Sequence, residues 1–169
     1  MNMKEYEVKK ITFLNFTRLI FGMYKYFVFY ICIITLILNF FNHFQNVIQN
    51  MEILNVLFGF VFSIIVHEYS HVFFFKRYGI QRIKISNDLL KFSVSTNERL
   101  VGRYLIITAI SGPLICGIIG SVLLLISIIL NSFSLKFLSI IYLFQLLNLI
   151  PFFGDGKMIL KGIFTLNTN

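Results

Sequence analysis

Two histidines and a glutamate inside an apolar segment are the residues of this chain best suited to chemistry. They stand in the order His67-Glu68-Tyr69-Ser70-His71. On an α-helix, residues i and i+4 share one face, so both imidazoles can bind one metal ion. Neutral imidazole nitrogen suits zinc, and Glu68 is placed to take a proton from a metal-bound water. The spacing therefore predicts a zinc site that activates water, with Glu68 as the general base.

The depth of this motif argues against a purely structural role. The alternative is a pair of interfacial histidines with a glutamate at a helix end. However, four apolar residues follow His71 before Lys76, which puts His67 about 12 Å inside the charged boundary at 1.5 Å per residue. A charged group at such a depth costs roughly 2.5–3.5 kcal/mol on insertion scales and is usually functional. We therefore favour the metal site.

A catalytic zinc normally has three protein ligands, so one more residue is needed. The remaining histidine, His43, lies in a loop predicted on the opposite side of the membrane. Asp155 is the better candidate, because Pro151 should break or kink the preceding helix. Gly154 and Gly156 permit an unwound turn that aims the carboxylate inward. The alternative is a loop aspartate that caps whatever follows.

The composition predicts that these residues lie in a membrane. The chain has 169 residues, of which 57% are hydrophobic and 13% charged, against about 25% charged in soluble domains. This excludes a soluble globular enzyme, a disordered chain and a fibrous repeat. Apolar runs interrupt every basic cluster, which argues against nucleic-acid binding. Cys32 and Cys116 both lie inside apolar runs, which argues against a disulfide framework and a cysteine metal site.

The expected fold class is an all-α membrane protein with about four transmembrane helices. A spanning helix needs about 20 apolar residues. The mixed stretch 11–24 is interpreted as an interfacial helix that leads into the first span. The predicted spans are residues 26–41, 53–75, 104–130 and 133–153.

The distribution of Lys and Arg predicts the orientation of these spans. Basic residues are frequent before the first span, absent from residues 42–52 and frequent between the second and third spans. The third connection has only Lys136, and the tail has Lys157 and Lys161. This alternation is typical of four spans with both termini in the cytoplasm. It would bring the histidine motif and Asp155 into the same, cytoplasmic half of the membrane.

One connection has a pattern of its own. Residues 82–86 and 91–95 alternate polar and apolar side chains around Asn87-Asp88, which predicts a short cytoplasmic or interfacial β-hairpin. The alternative is a solvated basic loop. We interpret residues 1–169 as one integral membrane domain, in which residues 1–25 form a cytoplasmic or interfacial N-terminus.

Taken together, the motifs resemble the site-2 protease family of intramembrane zinc metalloproteases, over roughly residues 53–160. The segments that carry the resemblance are the motif at residues 67–71, Asn148-Leu149-Ile150-Pro151 followed by Asp155-Gly156, and Ala109-Ile110-Ser111-Gly112-Pro113-Leu114. Two features depart from the family pattern. Gly154 and Lys157 flank the Asp-Gly element, and the interval from Asn148 to Asp155 is one residue shorter than usual.

The resemblance implies a role for each of these residues. His67, His71 and Asp155 would bind one zinc ion per chain, and Glu68 would act as general base and then as proton donor. Asn148 would hold the substrate, or else serve as a helix-packing amide. The remaining residues, with packing, kinking or turn roles, would be Gly112, Pro113, Pro151 and Gly156.

The resemblance also implies a substrate and a location. The substrate would be a membrane-embedded or membrane-associated peptide, cut near the cytoplasmic face of the cell membrane. The composition, rich in Phe, Ile, Asn and Lys, indicates a bacterial source. The hairpin could receive this peptide by strand addition. Two other classes stay open: an inactive relative that binds membrane peptides as an immunity or chaperone protein, and a membrane metal-binding or transport protein.

Overall fold

The computed structural model describes residues 2–41, 47–88 and 91–166, and these residues are mostly helical. Short 3-10 segments precede α1 and follow α4. The helices are α1 (Phe13–Phe41), α2 (Val47–Arg77), α3 (Gly102–Ile129), α4 (Phe133–Phe144) and α5 (Gly154–Leu166), and the strands are β1 (Asn2–Glu7), β2 (Arg82–Asp88) and β3 (Lys91–Ser95).

Within the described residues, three stretches are long and apolar enough to cross a membrane. They are Phe58–Arg77, Gly102–Ile129 and Phe133–Leu166. The prediction of a mainly helical protein with apolar helices of spanning length is therefore confirmed. The predicted first span, residues 26–41, forms the second half of α1, and its passage through a membrane stays a prediction.

Two element boundaries differ from the prediction. The predicted interfacial helix at 11–24 is not a separate element, because α1 continues from Phe13 to Phe41 without a proline to interrupt it. The predicted fourth span at 133–153 is not one helix. It ends as α4 at Phe144, passes through a 3-10 segment at Gln145–Leu149, and turns before α5. Ile150 is extended there, at φ −67° and ψ 137°, as expected of a residue that precedes proline.

The predicted hairpin is present, and a third strand extends it. β2 pairs antiparallel with β3, with Ile85 opposite Val94. β1 pairs antiparallel with the other edge of β2, with Tyr6 opposite Ile83. The sequence gives little sign of β1, because its apolar residues alternate only near its end. The sheet order β1-β2-β3 leaves β3 as an edge strand.

The sheet packs against the first part of α1 and the second half of α2. Ile83 and Ile85 of β2 are fully buried and belong to one apolar cluster with Phe16 of α1 and with Ile65 and Val72 of α2. Burial of such side chains contributes about 1.5–3 kcal/mol each. This cluster fixes the hairpin against the helix that carries the histidines.

α3 is the central helix, and it packs against α2, α4 and α5. A small residue allows it to lie close to α4: a Cβ at Gly120 would lie 3.0 Å from the backbone nitrogen of Leu143 and 3.0 Å from the carbonyl oxygen of Ser139. Because there is no hydrophobic effect between helices in lipid, such close packing is a main source of helix association.

Candidate metal centre

Three side chains from two helices converge at the centre of the fold. The Nε2 atoms of His67 and His71 lie 3.3 Å apart. The carboxylate of Asp155 contacts both rings, with Oδ2 3.0 Å from His67 Nε2 and Oδ1 3.4 Å from His71 Nε2. The prediction that His67, His71 and Asp155 share a site therefore agrees with the structure, in which each offers one ligand atom to a common point.

The separations of these atoms fit a small tetrahedral cation. Ligand atoms at about 2.0–2.1 Å from such an ion lie about 3.3–3.4 Å from one another. The two Nε2 atoms lie 3.3 Å apart, which matches this spacing. One oxygen of Asp155 lies 3.0 Å from Nε2 of His67 and the other lies 3.4 Å from Nε2 of His71, and one ligand atom from each residue lies within 4.8 Å of the others. Two imidazole nitrogens and one carboxylate oxygen also form a donor set of the kind found in open catalytic metal sites. These residues could therefore hold a divalent metal ion.

α2 places both histidines on one buried face, and α3 orients one of them. His67 and His71 are 5% and 6% exposed. The Nδ1 atom of His71 lies 2.7 Å from the carbonyl oxygen of Thr108. When Nδ1–H donates to this carbonyl, the lone pair of Nε2 is directed at the metal site. The hydroxyl of Ser111 donates to the same carbonyl at 2.7 Å. Among the described residues, Nδ1 of His67 is buried without a partner.

Gly112 allows α3 to lie directly against these histidines. A Cβ at this position would lie 2.8 Å from Nε2 of His71 and 2.9 Å from the carbonyl oxygen of His67. Pro113 is fully buried in the continuous helix α3 and cannot donate a hydrogen bond to the carbonyl of Ala109. Gly112 therefore bounds the metal site without contributing a ligand.

Asp155 reaches the site from the first turn of α5, and the turn before α5 differs from the prediction. The chain unwinds before Gly154, where the amide of Phe153 donates to the carbonyl of Ile150 at 3.0 Å. Gly154 and Gly156 are helical rather than unwound. A Cβ on Gly156 would overlap the carbonyl oxygen of Ile150, whereas a Cβ on Gly154 would meet open space. Gly156 therefore permits close packing of α5 on the preceding turn, which holds Asp155 in place.

Glu68 lies outside the ligand group but beside it. Its Oε2 accepts a hydrogen bond from the amide of Val94 at 3.1 Å. Glu68 lines a cavity of about 420 Å³ together with His67, His71 and Asp155. Val94 belongs to the edge strand β3, so the carboxylate bridges the metal site and the free edge of the sheet.

Asn148 lines the same cavity, and a chain of hydrogen bonds fixes its amide. Its Nδ2 donates to Oε1 of Gln145 at 3.1 Å, and Nε2 of Gln145 donates to the hydroxyl of Ser63 at 3.2 Å. Ser63 donates in turn to the carbonyl of Phe60 at 2.8 Å. Because Ser63 uses its one hydrogen on this carbonyl, it must accept from Gln145, and this sets the direction of the whole chain.

Three groups at the site were missed by sequence reasoning. Gln145 had a weak signal, because it is an amide in an apolar run. The carbonyl of Thr108 and the amide of Val94 have no signal in the sequence, because they are backbone groups that nearly every residue carries.

Comparison with known proteins gave no matching family model, no matching curated protein and no matching solved structure.

Proposed function

We propose that this protein is an intramembrane zinc metalloprotease of the site-2 protease type. The observation that carries the proposal is the convergence of His67, His71 and Asp155 within 3.0–3.4 Å, with Glu68 in the wall of the same cavity. Two histidines and one carboxylate leave a fourth position for water or substrate on zinc. The sequence resemblance and this geometry are both consistent with this assignment.

Zinc bound by these three side chains would supply Lewis acidity and make a bound water nucleophilic at neutral pH. Glu68 accepts the proton of the attacking water and then delivers it to the leaving amine. The Thr108 carbonyl keeps the ring of His71 in one tautomer during this exchange. The surrounding apolar helices lower the local dielectric constant, which strengthens each electrostatic interaction at the site.

The substrate in this proposal is an extended peptide segment within or beside the membrane. β3 is an edge strand that borders the cavity. A substrate strand can pair with the main-chain groups of this edge other than the Val94 amide, which donates to Glu68. The amide of Asn148, held by Gln145, lines the same cavity and can bind the substrate main chain there. Each of these contacts recognises backbone rather than sequence.

The proposed location is a cell membrane of bacterial type, with both termini in the cytoplasm. β1 and β2 form one sheet, so the N-terminus and the connection between α2 and α3 lie on the same side. This supports the orientation predicted from the basic residues. The metal site then lies in the half of the membrane nearest the cytoplasm, where water can reach it.

The test combines metal content with one substitution. Purified protein in mild detergent should contain about one zinc per chain. A Glu68→Gln variant should keep that zinc and lose peptide cleavage, since only the proton acceptor is removed. Cleavage that survived Glu68→Gln would contradict the mechanism. Zinc-dependent peptide binding without cleavage in wild type would favour the inactive binding protein, and metal flux into vesicles would favour a transporter.

A further inference from the structure

A second cavity leads from the metal site toward the charged connection before α3. It has a volume of about 570 Å³, and His71 and Asp155 form its inner end. Its outer part is lined by the segment 96–101 and by the face of α5 that carries Met158 and Lys161. It shares His71, Val94, Asp155 and Met158 with the cavity that contains Glu68, so the two cavities adjoin at the metal site and β3. A peptide that passed the metal site along β3 would therefore extend into this second cavity.

The outer part of this cavity carries two cationic side chains with no counter-ion. Arg99 and Lys161 are exposed, and within the described ranges neither side chain forms an ion pair or a hydrogen bond. The one other carboxylate in the lining, Glu98, is already engaged. Its Oε1 accepts hydrogen bonds from the backbone amides of Gln81 at 2.8 Å and Arg82 at 3.1 Å.

The position of Lys161 defines a distance from the metal site. Lys161 follows Asp155 by six residues on α5, and therefore lies about 9 Å farther along the helix at 1.5 Å per residue. An extended peptide covers that distance in about three residues, at roughly 3.3 Å each.

We propose that Lys161 and Arg99 form a subsite for a substrate carboxylate about three residues from the scissile peptide bond. The carboxylate belongs either to an Asp or Glu side chain or to the free C-terminus of the substrate. This inference rests on the proposed peptidase function and adds a substrate class to it. The main-chain contacts near Glu68 select extended peptides, and the subsite selects among them by charge.

The first experiment moves the carboxylate along a probe. Synthetic single-span peptides carry one Asp at successive positions after the apolar segment, and cleavage by the zinc-loaded protein is mapped by mass spectrometry. The cleaved bond should move with the Asp and stay about three residues from it. A cleaved bond that stays at the same place when the Asp is moved would contradict the proposed subsite. Peptides that end in a free carboxylate or an amide at the same distance separate the side-chain and C-terminal sources.

The second experiment reverses the charge of the subsite. Lys161→Glu should lower kcat/KM for the Asp peptide about tenfold, mostly through KM, and should raise it for the matching Lys peptide. Lys157→Glu is the matched control, because Lys157 is exposed on the same helix but lines neither cavity. Equal effects of the two substitutions on kcat/KM would mean that general surface charge, and not a subsite at Lys161, accounts for the preference. Zinc content equal to that of wild type, together with the milder Lys161→Gln, shows that loss is not due to misfolding.

A binding measurement separates this inference from the proposed function. The Glu68→Gln variant should bind the Asp peptide more tightly than the Lys peptide, and Lys161→Glu in that background should reverse the preference. If wild type cleaves no peptide but this preference holds, the peptidase proposal fails and the subsite stands. If wild type cleaves Asp, Asn and Lys peptides with equal kcat/KM, the subsite alone fails.

Discussion

α2 and α5 both supply ligands to the metal site, but they hold them in different ways. α2 is a continuous helix of 31 residues, and its two histidines are four residues apart on one face. α5 has 13 residues and begins after an interruption in the chain. The position of the Asp155 carboxylate therefore depends on how the turn before α5 packs, whereas the spacing of the histidines is a local property of any helix. The imidazole pair is set by periodicity, and the carboxylate is set by tertiary contacts.

The difference extends to the surroundings of the ligands. His71 is buried and its Nδ1 is bonded to the carbonyl of Thr108 on the neighbouring helix. The side chain of Asp155 is 18% exposed, and its described ion-pair contacts are with the two histidines themselves. We therefore expect metal affinity to depend more on the α2 ligands than on the α5 ligand.

The largest effect is expected from His71→Ala, which removes a ligand together with its bond to Thr108. Loss of an outer-shell partner alone typically lowers metal affinity about 10–100-fold, so loss of His71 should exceed 100-fold. Zinc affinity measured by competition with a chelator tests this. His43→Ala is the control on the remaining histidine, and it should leave the affinity unchanged. Unchanged zinc binding in His71→Ala would show that the α2 pair is not the metal site.

Asp155→Ala should weaken zinc binding by a smaller factor than His71→Ala, because the two imidazoles and the bond of His71 to Thr108 remain in place. Asp155→Asn keeps the shape of the side chain and removes its charge. Its zinc affinity in the same chelator competition should lie between those of wild type and Asp155→Ala. If Asp155→Ala abolished binding as completely as His71→Ala, the proposed difference between the two helices would be wrong.

Gly156→Ala tests whether the turn before α5 positions Asp155. The added methyl group would overlap the carbonyl oxygen of Ile150, so α5 must shift. Overpacking of this kind typically costs about 1–3 kcal/mol of stability. Zinc affinity should fall about tenfold as the carboxylate moves, which corresponds to about 1.4 kcal/mol.

Gly154→Ala is the matched control for this prediction. A Cβ at Gly154 meets nothing within 4 Å, and alanine favours a helix over glycine. Thermal unfolding and zinc affinity should therefore stay near the wild-type values. An equal loss of affinity in the two variants would mean that helix flexibility, rather than the contact at Ile150, governs the position of Asp155.

The same contrast explains what could be predicted from the sequence. The His67–His71 pairing follows from local helical geometry, and the β2–β3 hairpin follows from alternation over adjacent residues. The fourth apolar run was predicted as one span because its hydropathy is continuous. In the structure α4 ends at Phe144, and the 3-10 segment that follows ends at the extended Ile150 before Pro151. β1 was missed because its pairing with β2 joins residues about 80 positions apart, and its own apolar pattern is short.

Some features of the site leave no trace in side-chain patterns at all. The orientation of His71 depends on the carbonyl of Thr108, and the contact of Glu68 depends on the amide of Val94. Both are backbone groups whose roles arise only from helix and sheet packing. The identity of Gly112 is informative only once its distance to His71 is known. Sequence therefore identifies the ligands better than it identifies what holds them.

The smallest effect is expected from Ser63→Ala, which tests a direct link between α2 and the chain before α5. The hydroxyl of Ser63 accepts from Gln145, which in turn accepts from Asn148. Removing it should cost about 1 kcal/mol of stability, measured by denaturant unfolding in detergent. Zinc affinity should stay within about threefold of wild type, because the loss of one neutral hydrogen bond has a small energetic effect. A larger loss of zinc affinity would mean that this link, and not the contact of Gly156 with Ile150, positions Asp155.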